Sequence, residues 1–355
     1  MIFSKATLAM AFCFCAIFVK NPHMYFSLII PVYNRPFEVG ELLESLSATT
    51  YGKPFEIVIV EDGSSQTSEG VVDLFRGKLD ISYYSKPNSG PGDSRNFGMR
   101  KAKGDYFLIF DSDCIIPAQY LSEVENALAA RPVDCFGGPD AALDSFTDIQ
   151  KAINFAMTSF MTTGGIRGGS EQIAKFQPRS FNMGLSRRAF EASGGFGNIH
   201  PGEDPDLSIR LWDLGFQTAL FSRAFVFHKR RIDWQKFRVQ VNKFGKARPI
   251  LDSWHPRHAK LTFWMPSVFV LFTLFSVVLG IFGYPVFLAN IAVYFAGILV
   301  FASVQNKSFK IGWFAVAAVA IQFFGYGSGY LQSFFKVRVF KQAPERAFPE
   351  LFFKK

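Results

Sequence analysis

The chain has 355 residues, of which 49% are hydrophobic. A mean hydropathy of +0.15 excludes an ordinary soluble domain, and the apolar excess lies after Leu261. The net charge of +9 is also localised, since ten Lys or Arg fall within residues 228–260; no nucleic-acid-binding signature accompanies them, so we predict a membrane surface rather than nucleic acid as the partner.

The first 24 residues contain the apolar run Ala6–Val19, which lies between Lys5 and Lys20. This run is shorter than the ~20 residues that a membrane-spanning helix needs. Two interpretations of residues 1–24 stay open. They are a short membrane anchor, or an over-extended start with the true beginning at Met24.

From Tyr25 onward, short β-rich runs alternate with helical ones. Helices are predicted after Pro36 and over Pro91–Lys101, and strands are predicted at Phe26–Ile30, Phe55–Val60, Ile81–Tyr84 and Tyr106–Phe110. This alternation predicts an α/β fold with a mainly parallel sheet flanked by helices. Such sheets bind ligands at the carboxyl ends of their strands, and polar clusters here follow the first, second and fourth strands.

Six segments, in order along the chain, resemble glycosyltransferase family 2. They are FSLIIPVYNRP (26–36), IVIVEDGSS (57–65), NSGPGDSRNFGM (88–99), GDYFLIFDSDC (104–114), FNMGLSRRAF (181–190) and GEDPDLSIRL (202–211). The resemblance implies a GT-A nucleotide-sugar-binding domain over residues 25–230. It also implies inverting transfer of a sugar from a nucleoside diphosphate sugar, with UDP favoured over GDP.

The resemblance assigns the base of the nucleotide to the ends of the first two strands. Pro31, Val32 and Tyr33 would wall the base, although the same residues also make a rigid exit from a strand. Asp62 would accept a hydrogen bond from the ring N–H of the base. An Asp at a strand end also serves as a helix cap or turn residue, and both roles can hold at once.

The phosphates of the donor are assigned to the segment after the third strand. Gly90 and Pro91 lead into a helix, and free N–H groups at a helix start suit a diphosphate. Arg95, one turn further on, is expected to reach the same phosphates or the ribose. Without this context, Gly-Pro-Gly is a common turn.

Asp111-Ser112-Asp113 follows a buried strand and offers carboxylate oxygens to Mg²⁺ or Mn²⁺. The resemblance implies that Asp113 is the direct metal ligand. Asp111 and Ser112 would then lie on the nucleotide side, with Asp111 contacting the ribose or a metal-bound water. His228 resembles the third metal contact of some family members, whereas a lone His is also a common structural residue.

A second pair of carboxylates is Glu203-Asp204. An acceptor hydroxyl is a weak nucleophile at neutral pH, so a carboxylate must take its proton. The resemblance implies that Asp204 is this base and that Glu203 orients the acceptor or supports the loop. An N-capping role for Asp204 is also expected, and Asp206 is predicted to be a solvated helix residue.

The region after the catalytic domain predicts a membrane anchor. A basic juxtamembrane segment at 231–261 precedes a membrane region at 262–332 with apolar stretches at about 262–283, 285–304 and 311–332, and a basic tail follows at 333–355. Three full spans would put the tail outside, which conflicts with its positive charge. A third stretch that is re-entrant, or that lies along the interface, would remove this conflict.

The acceptor is expected to be a lipid-linked glycan or another glycolipid at an inner or plasma membrane, with the catalytic domain in the cytoplasm. Gly164–Gly169 is interpreted either as an acceptor-side loop, in which Arg167 would meet a phosphate of a lipid carrier, or as a plain surface loop. Gln235–Val239 lacks the Trp of the processive Q-x-x-R-W motif, so we predict addition of a single sugar. The alternatives are an inactive GT-A-like membrane assembly subunit and, less favoured, a nucleotidyltransferase.

Overall fold

The computed structural model describes residues 24–141, 146–164, 175–228 and 233–353. The predicted N-terminal anchor and Arg167 lie outside these residues. The ten strands are β1 Phe26–Val32, β2 Phe55–Asp62, β3 Ile81–Lys86, β4 Tyr106–Phe110, β5 Cys114–Ile115, β6 Cys135–Gly137, β7 Asp140–Ala141, β8 Asn182–Ser186, β9 Thr218–Leu220 and β10 Val226–His228.

The main sheet has seven strands in the order β3-β2-β1-β4-β8-β6-β9. β1 pairs in parallel with β2 and β4, β2 with β3, and β6 with β9, whereas β8 is antiparallel to β4 and β6. The predicted mainly parallel sheet is therefore confirmed. A small second sheet, β5-β10-β7, brings the residues after β4 next to the end of β10.

Helices cover the sheet and continue into the C-terminal region. They are α1 Pro36–Ser47, α2 Glu69–Asp73, α3 Pro91–Lys101, α4 Tyr120–Ala130, α5 Asp148–Thr158, α6 Phe160–Thr163, α7 Arg187–Ser193, α8 Glu203–Asp213, α9 Trp234–Trp254, α10 Met265–Ile281, α11 Val286–Gln305, α12 Phe309–Ser333 and α13 Pro344–Ala347. Short 3-10 turns at Pro256–His258, Leu261–Trp264 and Pro349–Leu351, and a π-helical turn at Phe334–Val339, link the last helices.

The core of the domain lies on both faces of the sheet. All seven residues of β1 are buried, as expected of a central parallel strand. On one face, α1 buries the side chains that its helical spacing aligns, Val39, Leu42, Leu43 and Leu46. On the other face, Gly98 of α3 lets the helix approach Ile29, since a Cβ there would lie 2.8 Å from that side chain. Each fully buried aliphatic side chain stabilises the fold by about 1.5–3 kcal/mol.

Three helical segments of the described chain are long and apolar enough to cross a membrane: Leu261–Ile281, Val286–Gln305 and Phe309–Val339. They match the three predicted apolar stretches. The third contains the continuous helix α12, so its glycines do not interrupt it as a re-entrant loop would. Gly329 instead lies where a Cβ would overlap the backbone of Asn242, which allows α12 to pack closely on α9.

Both ends of the third apolar segment contact the catalytic domain. Near its start, the Lys310 Nζ lies 2.9 Å from the Asp148 carboxylate of α5. Beyond its end, the carbonyl of Leu351 accepts a 2.7 Å hydrogen bond from the backbone N–H of His200. α9, which packs along α12, is likewise tied to the domain through a 2.9 Å contact between His255 Nε2 and Asp206. The part of the basic tail around Leu351 therefore packs against the catalytic domain.

Candidate active site

The predicted site residues gather where the parallel strands end. Asp62 ends β2, Asp111 follows β4, and Tyr33 follows β1. Val32 is buried within the sheet, whereas the ring of Tyr33 is 54% exposed. Pro31 pairs in register with Val60 of the neighbouring strand. An exposed aromatic beside a strand-end acid is compatible with the predicted base wall, which stays a prediction.

The carboxylate of Asp62 holds the loop that precedes α3. Its Oδ1 accepts hydrogen bonds from the Lys86 Nζ at 2.7 Å and from the backbone N–H of Ser89 at 2.9 Å. Its Oδ2 accepts the N–H of Gly90 at 2.9 Å. The turn role expected for Asp62 is therefore present, and the contact with a nucleotide base stays a prediction.

Gly90 and Pro91 form the start of α3 as predicted. Gly90 has a φ of 93°, a left-handed conformation that favours glycine, and Pro91 occupies the first helical turn. A Cβ on Gly90 would overlap the ring of Phe353, which lies directly against this residue. The helix start assigned to the phosphates is therefore in contact with a residue that follows the three apolar helical segments.

Arg95 differs from its prediction. The side chain is buried, and its terminal nitrogens bind Asp111 at 2.7 Å and Glu203 at 3.3 Å. A buried guanidinium that binds two carboxylates is not free to bind a phosphate from solvent. The structure makes Arg95 the link between the two acidic centres, because its guanidinium contacts both Asp111 after β4 and Glu203 at the start of α8.

Asp113 meets His228 at the edge of the small sheet. β5 and β10 pair so that His228 lies opposite Cys114, and the His228 Nε2 is 3.1 Å from Asp113 Oδ1. Ligand atoms of Asp113, Cys114 and His228 all lie within 4.8 Å of one another. The predicted proximity of His228 to the acidic motif is therefore present in the fold.

The chemistry of this group fits a divalent cation held by oxygen and imidazole. The Cys114 thiol is turned to the carbonyl of Phe181, to which it donates a hydrogen bond at 3.4 Å, and hard divalent cations prefer oxygen ligands to sulfur. Within the described residues, the Nδ1 of His228 is buried without a hydrogen-bond partner. The ring of Phe181 stacks on His228 at 4.8 Å and fixes its plane. Asp113 and His228 are the residues that remain, a donor set that suits Mn²⁺.

Glu203 and Asp204 begin α8, and their environments shift their pKa values in opposite directions. Glu203 is buried between Arg95 and His200, whose Nδ1 lies 2.7 Å away. Burial alone would raise the pKa of Glu203, but the charges of His200 and Arg95, with the hydrogen bond from His200, hold it below its usual value. Glu203 is therefore a fixed anion.

Asp204 has the opposite shift. Burial, followed by the adjacent charge of Glu203, raises the pKa of Asp204 above its usual value, while Arg95 and hydrogen bonds from Ser180 oppose the shift. Among the described residues, its Oδ1 is buried without a hydrogen-bond partner. A carboxylate with raised proton affinity and one unused oxygen is suited to accept a proton.

Asp206 is not the solvated residue that the sequence predicts. It is 5% exposed and binds Arg210 at 2.8 Å and His255 at 2.9 Å. Its position two residues after Asp204 places it on the side of α8 that faces α9. Asp206 therefore ties α8 to the end of α9.

Three residues near the acids were not identified from the sequence. Arg35 donates from Nη1 to Asp113 Oδ2 at 2.8 Å, Ser180 hydrogen bonds Asp204, and His200 binds Glu203. Arg35 lies within the first matched segment, three residues after the end of β1, and His200 lies three residues before Glu203, so both are close in sequence to residues that were identified. Ser180 comes from a distant segment, and no local signal marked it.

Comparison with known proteins gives consistent similarities. Residues 27–194 match the family model described as "Glycosyl transferase family 2". A segment of 103 residues is 36% identical to poly(ribitol-phosphate) beta-N-acetylglucosaminyltransferase TarS of Staphylococcus aureus, covering 28% of this chain and only 18% of that protein. A longer match, 26% identical over 234 residues, covers 62% of this chain and 54% of the probable glycosyltransferase YdaM of Bacillus subtilis.

Among solved structures, the chain resembles mannosyltransferase PcManGT from Pyrobaculum calidifontis, which was determined in complex with GDP-Man and Mn²⁺. The TM-score is 0.55 at 15% sequence identity, and the match covers 95% of this chain and 96% of that one. At this identity the likeness concerns the fold. It extends over the catalytic domain and most of the helices that follow it.

Proposed function

Because residues 27–194 are a family 2 glycosyltransferase domain with the GT-A fold, we propose that the chain transfers one sugar from a nucleoside diphosphate sugar to a membrane-bound acceptor with inversion. The observation that carries this proposal is the unpartnered, buried oxygen of Asp204, whose pKa is raised. A buried Arg95 links its neighbour Glu203 to the acidic motif after β4.

The protein groups have separate tasks in this proposal. Asp204 takes the proton of the acceptor hydroxyl as that oxygen attacks the anomeric carbon. Attack from the face opposite the diphosphate inverts the configuration. Glu203 and Arg95 hold Asp204 in position, and the negative charge of Glu203 keeps its proton affinity high.

A divalent cation is part of the proposal. Asp113 and His228 would hold the cation, and Asp111 and Ser112 would lie on the nucleotide side. When bound, the cation would neutralise the negative charge that develops on the diphosphate. Arg35, which lies on Asp113, adds a second positive charge at this place. The Mn²⁺ in the PcManGT complex supports a divalent cation without deciding which one is used.

The donor is proposed to be a nucleoside diphosphate sugar. PcManGT was determined with GDP-Man, whereas membership of the family in general favours UDP over GDP. The acceptor is proposed to be a lipid-linked glycan or glycolipid, since the domain is joined to three helices able to cross a membrane. The absence of a Trp after Gln235 and Arg238 supports transfer of a single sugar.

A test of this function measures sugar transfer by the full chain in membranes. Membranes containing the chain should incorporate radiolabel from one nucleoside diphosphate sugar of a panel into an organic-extractable product, and EDTA should abolish the transfer. Membranes with Asp204→Asn are the control. Label that enters no extractable product with any donor would contradict the proposed acceptor class.

We further propose that α10 and α11 enter the membrane as a hairpin and that α12 lies along the interface. The chain leaves the domain after His258, which contacts Asp213 at 3.0 Å, and returns at Lys310 beside Asp148. It returns again at Leu351. A segment of chain whose two ends both contact the domain must cross the membrane an even number of times, because both ends lie on the same side. A single crossing by α12 does not meet this condition.

Cysteine labelling tests this topology. Tyr284→Cys lies between α10 and α11, Lys307→Cys between α11 and α12, and Lys341→Cys after α12, and all three positions are exposed. In sealed vesicles, an impermeant maleimide should label Lys307→Cys and Lys341→Cys from one side and Tyr284→Cys from the other, with the parent chain as background. Labelling of Lys341→Cys from the Tyr284 side would show that α12 spans.

A further inference from the structure

The tail segment, defined as Pro344–Phe353, lies against the catalytic domain. Phe352 forms an antiparallel bridge with Ile199, and the carbonyl of Leu351 accepts a 2.7 Å hydrogen bond from the N–H of His200. These contacts fall in the loop just before Glu203 and Asp204. The tail segment is therefore attached directly to the loop that precedes the proposed base.

A small apolar cluster holds the tail segment in place. Leu351 is fully buried and Phe348 is 2% exposed, and both pack with Ile199 and with Ala247 and Ile250 of α9. At the rim, the Lys246 Nζ lies 2.9 Å from the Glu350 carboxylate. Because the cluster combines buried side chains, backbone pairing and an ion pair, docking of the tail segment is a specific arrangement.

The docked tail segment covers the start of α3. The ring of Phe353 lies so close to Gly90 that a Cβ on this glycine would overlap it, and the same ring is 6.0 Å from the ring of His200. The N–H of Gly90 is already used by Asp62. An apolar ring therefore lies over the helix start that would otherwise face the charged diphosphate of a donor.

We propose that the tail segment is an autoinhibitory element that competes with the nucleoside diphosphate donor for the start of α3. This proposal rests on the proposed function and on the assignment of the diphosphate to Gly90 and Pro91, which the family resemblance implies. A donor would bind only the fraction of molecules in which Phe353 has left Gly90. The apparent affinity for the donor is then lowered by that fraction, about tenfold if nine molecules in ten are docked.

A disulfide that fixes the docked tail is the most direct test. Paired residues in an antiparallel bridge have Cα atoms roughly 4.5–5.5 Å apart, within the range that a disulfide spans. We expect Ile199→Cys/Phe352→Cys to bind UDP or GDP, in the presence of Mn²⁺, at least about tenfold more weakly when oxidised than when reduced. The single variant Phe352→Cys should show no such redox dependence.

Removal of the ring tests the same competition in the opposite direction. Phe353→Ala should bind the nucleotide about three- to tenfold more tightly than the parent chain. Phe340→Ala is the matched control, because Phe340 is a 67% exposed aromatic shortly before the tail segment. It should leave nucleotide affinity unchanged. Isothermal titration of detergent-solubilised protein measures these affinities without requiring turnover.

The outcomes separate the two proposals. Equal nucleotide binding by the oxidised and reduced double-cysteine variant, or weaker binding by Phe353→Ala, would overturn autoinhibition and leave the donor site intact. Weaker binding by Phe353→Ala would mean that the ring completes the site. Failure of the parent chain, the reduced variant and Phe353→Ala to bind any nucleoside diphosphate would instead reject the proposed function.

Discussion

Asp204→Asn is expected to lower sugar transfer by about 10²- to 10⁴-fold, the usual contribution of a general base. The amide has nearly the same shape but cannot take the acceptor proton. Nucleotide binding should persist, because Asp204 lies at the start of α8 and is not one of the residues assigned to the nucleotide. Initial rates and nucleotide titrations on the same preparation measure the two effects separately.

The pH dependence of the reaction gives an independent check on Asp204. Transfer requires its ionised form, and burial with the charge of Glu203 raises its pKa. Activity should therefore fall on acidification at a pH above the usual aspartate pKa of about 3.9. The residual activity of Asp204→Asn should not show this fall on acidification.

Stability distinguishes a catalytic loss from a folding defect in Asp204→Asn. An acid whose pKa is raised by folding stabilises the fold below its unfolded pKa, and this contribution is lost as pH rises through the folded pKa. The neutral amide should therefore unfold at the same temperature or higher at pH 8. Asp213→Asn, in an exposed position at the far end of α8, is the control and should keep full activity. Full turnover by folded Asp204→Asn would refute its role.

Arg95→Met is expected to destabilise the protein by about 3–5 kcal/mol, because it leaves the buried carboxylate of Glu203 without its guanidinium partner. Arg95 and Glu203 have side chains only 3% and 4% exposed, so solvent screens their interaction little. Arg223→Met is the matched control, because Arg223 also pairs with an acid, Glu123, but its side chain is 82% exposed. Such a surface ion pair contributes about 0–1 kcal/mol to the free energy of unfolding. Chemical unfolding in detergent measures both.

The sign of the pH effect makes this prediction specific. The folded pKa of Glu203 is lowered, so its stabilising contribution is present above the unfolded glutamate pKa of about 4.3 and disappears as pH falls through the folded value. The stability difference between the parent chain and Arg95→Met should be largest near neutral pH and should narrow on acidification. A difference independent of pH would show that Arg95 acts through packing alone.

The sequence predicted the catalytic fold well because its signals are local. Short β-rich runs that alternate with helical spacing specify a parallel sheet, and β4 and α3 have the predicted bounds. Asp62, Asp111 and Asp113 then fall at the same edge, since parallel strands present their carboxyl ends together. Their convergence followed from strand order and needed no side-chain contact.

The partners of charged groups were much harder to predict. Arg95 was expected to face phosphate and Asp206 to face water, yet both are buried in ion pairs. A helical residue can face solvent, substrate or a neighbouring element. Which of these occurs depends on helices such as α8 and α9, which are distant in sequence.

By itself, the sequence determined the class of fold, the acidic motifs at the strand ends and the three apolar segments, because these depend on periodicity and on residue type. Only the tertiary structure decided the ion pairs of Arg95 and Asp206, the contact of the tail with the domain, and the contact of Phe353 with Gly90. These features join residues far apart in the chain. Their pairing is fixed by packing of α9 and α12 against the domain, which local patterns do not specify.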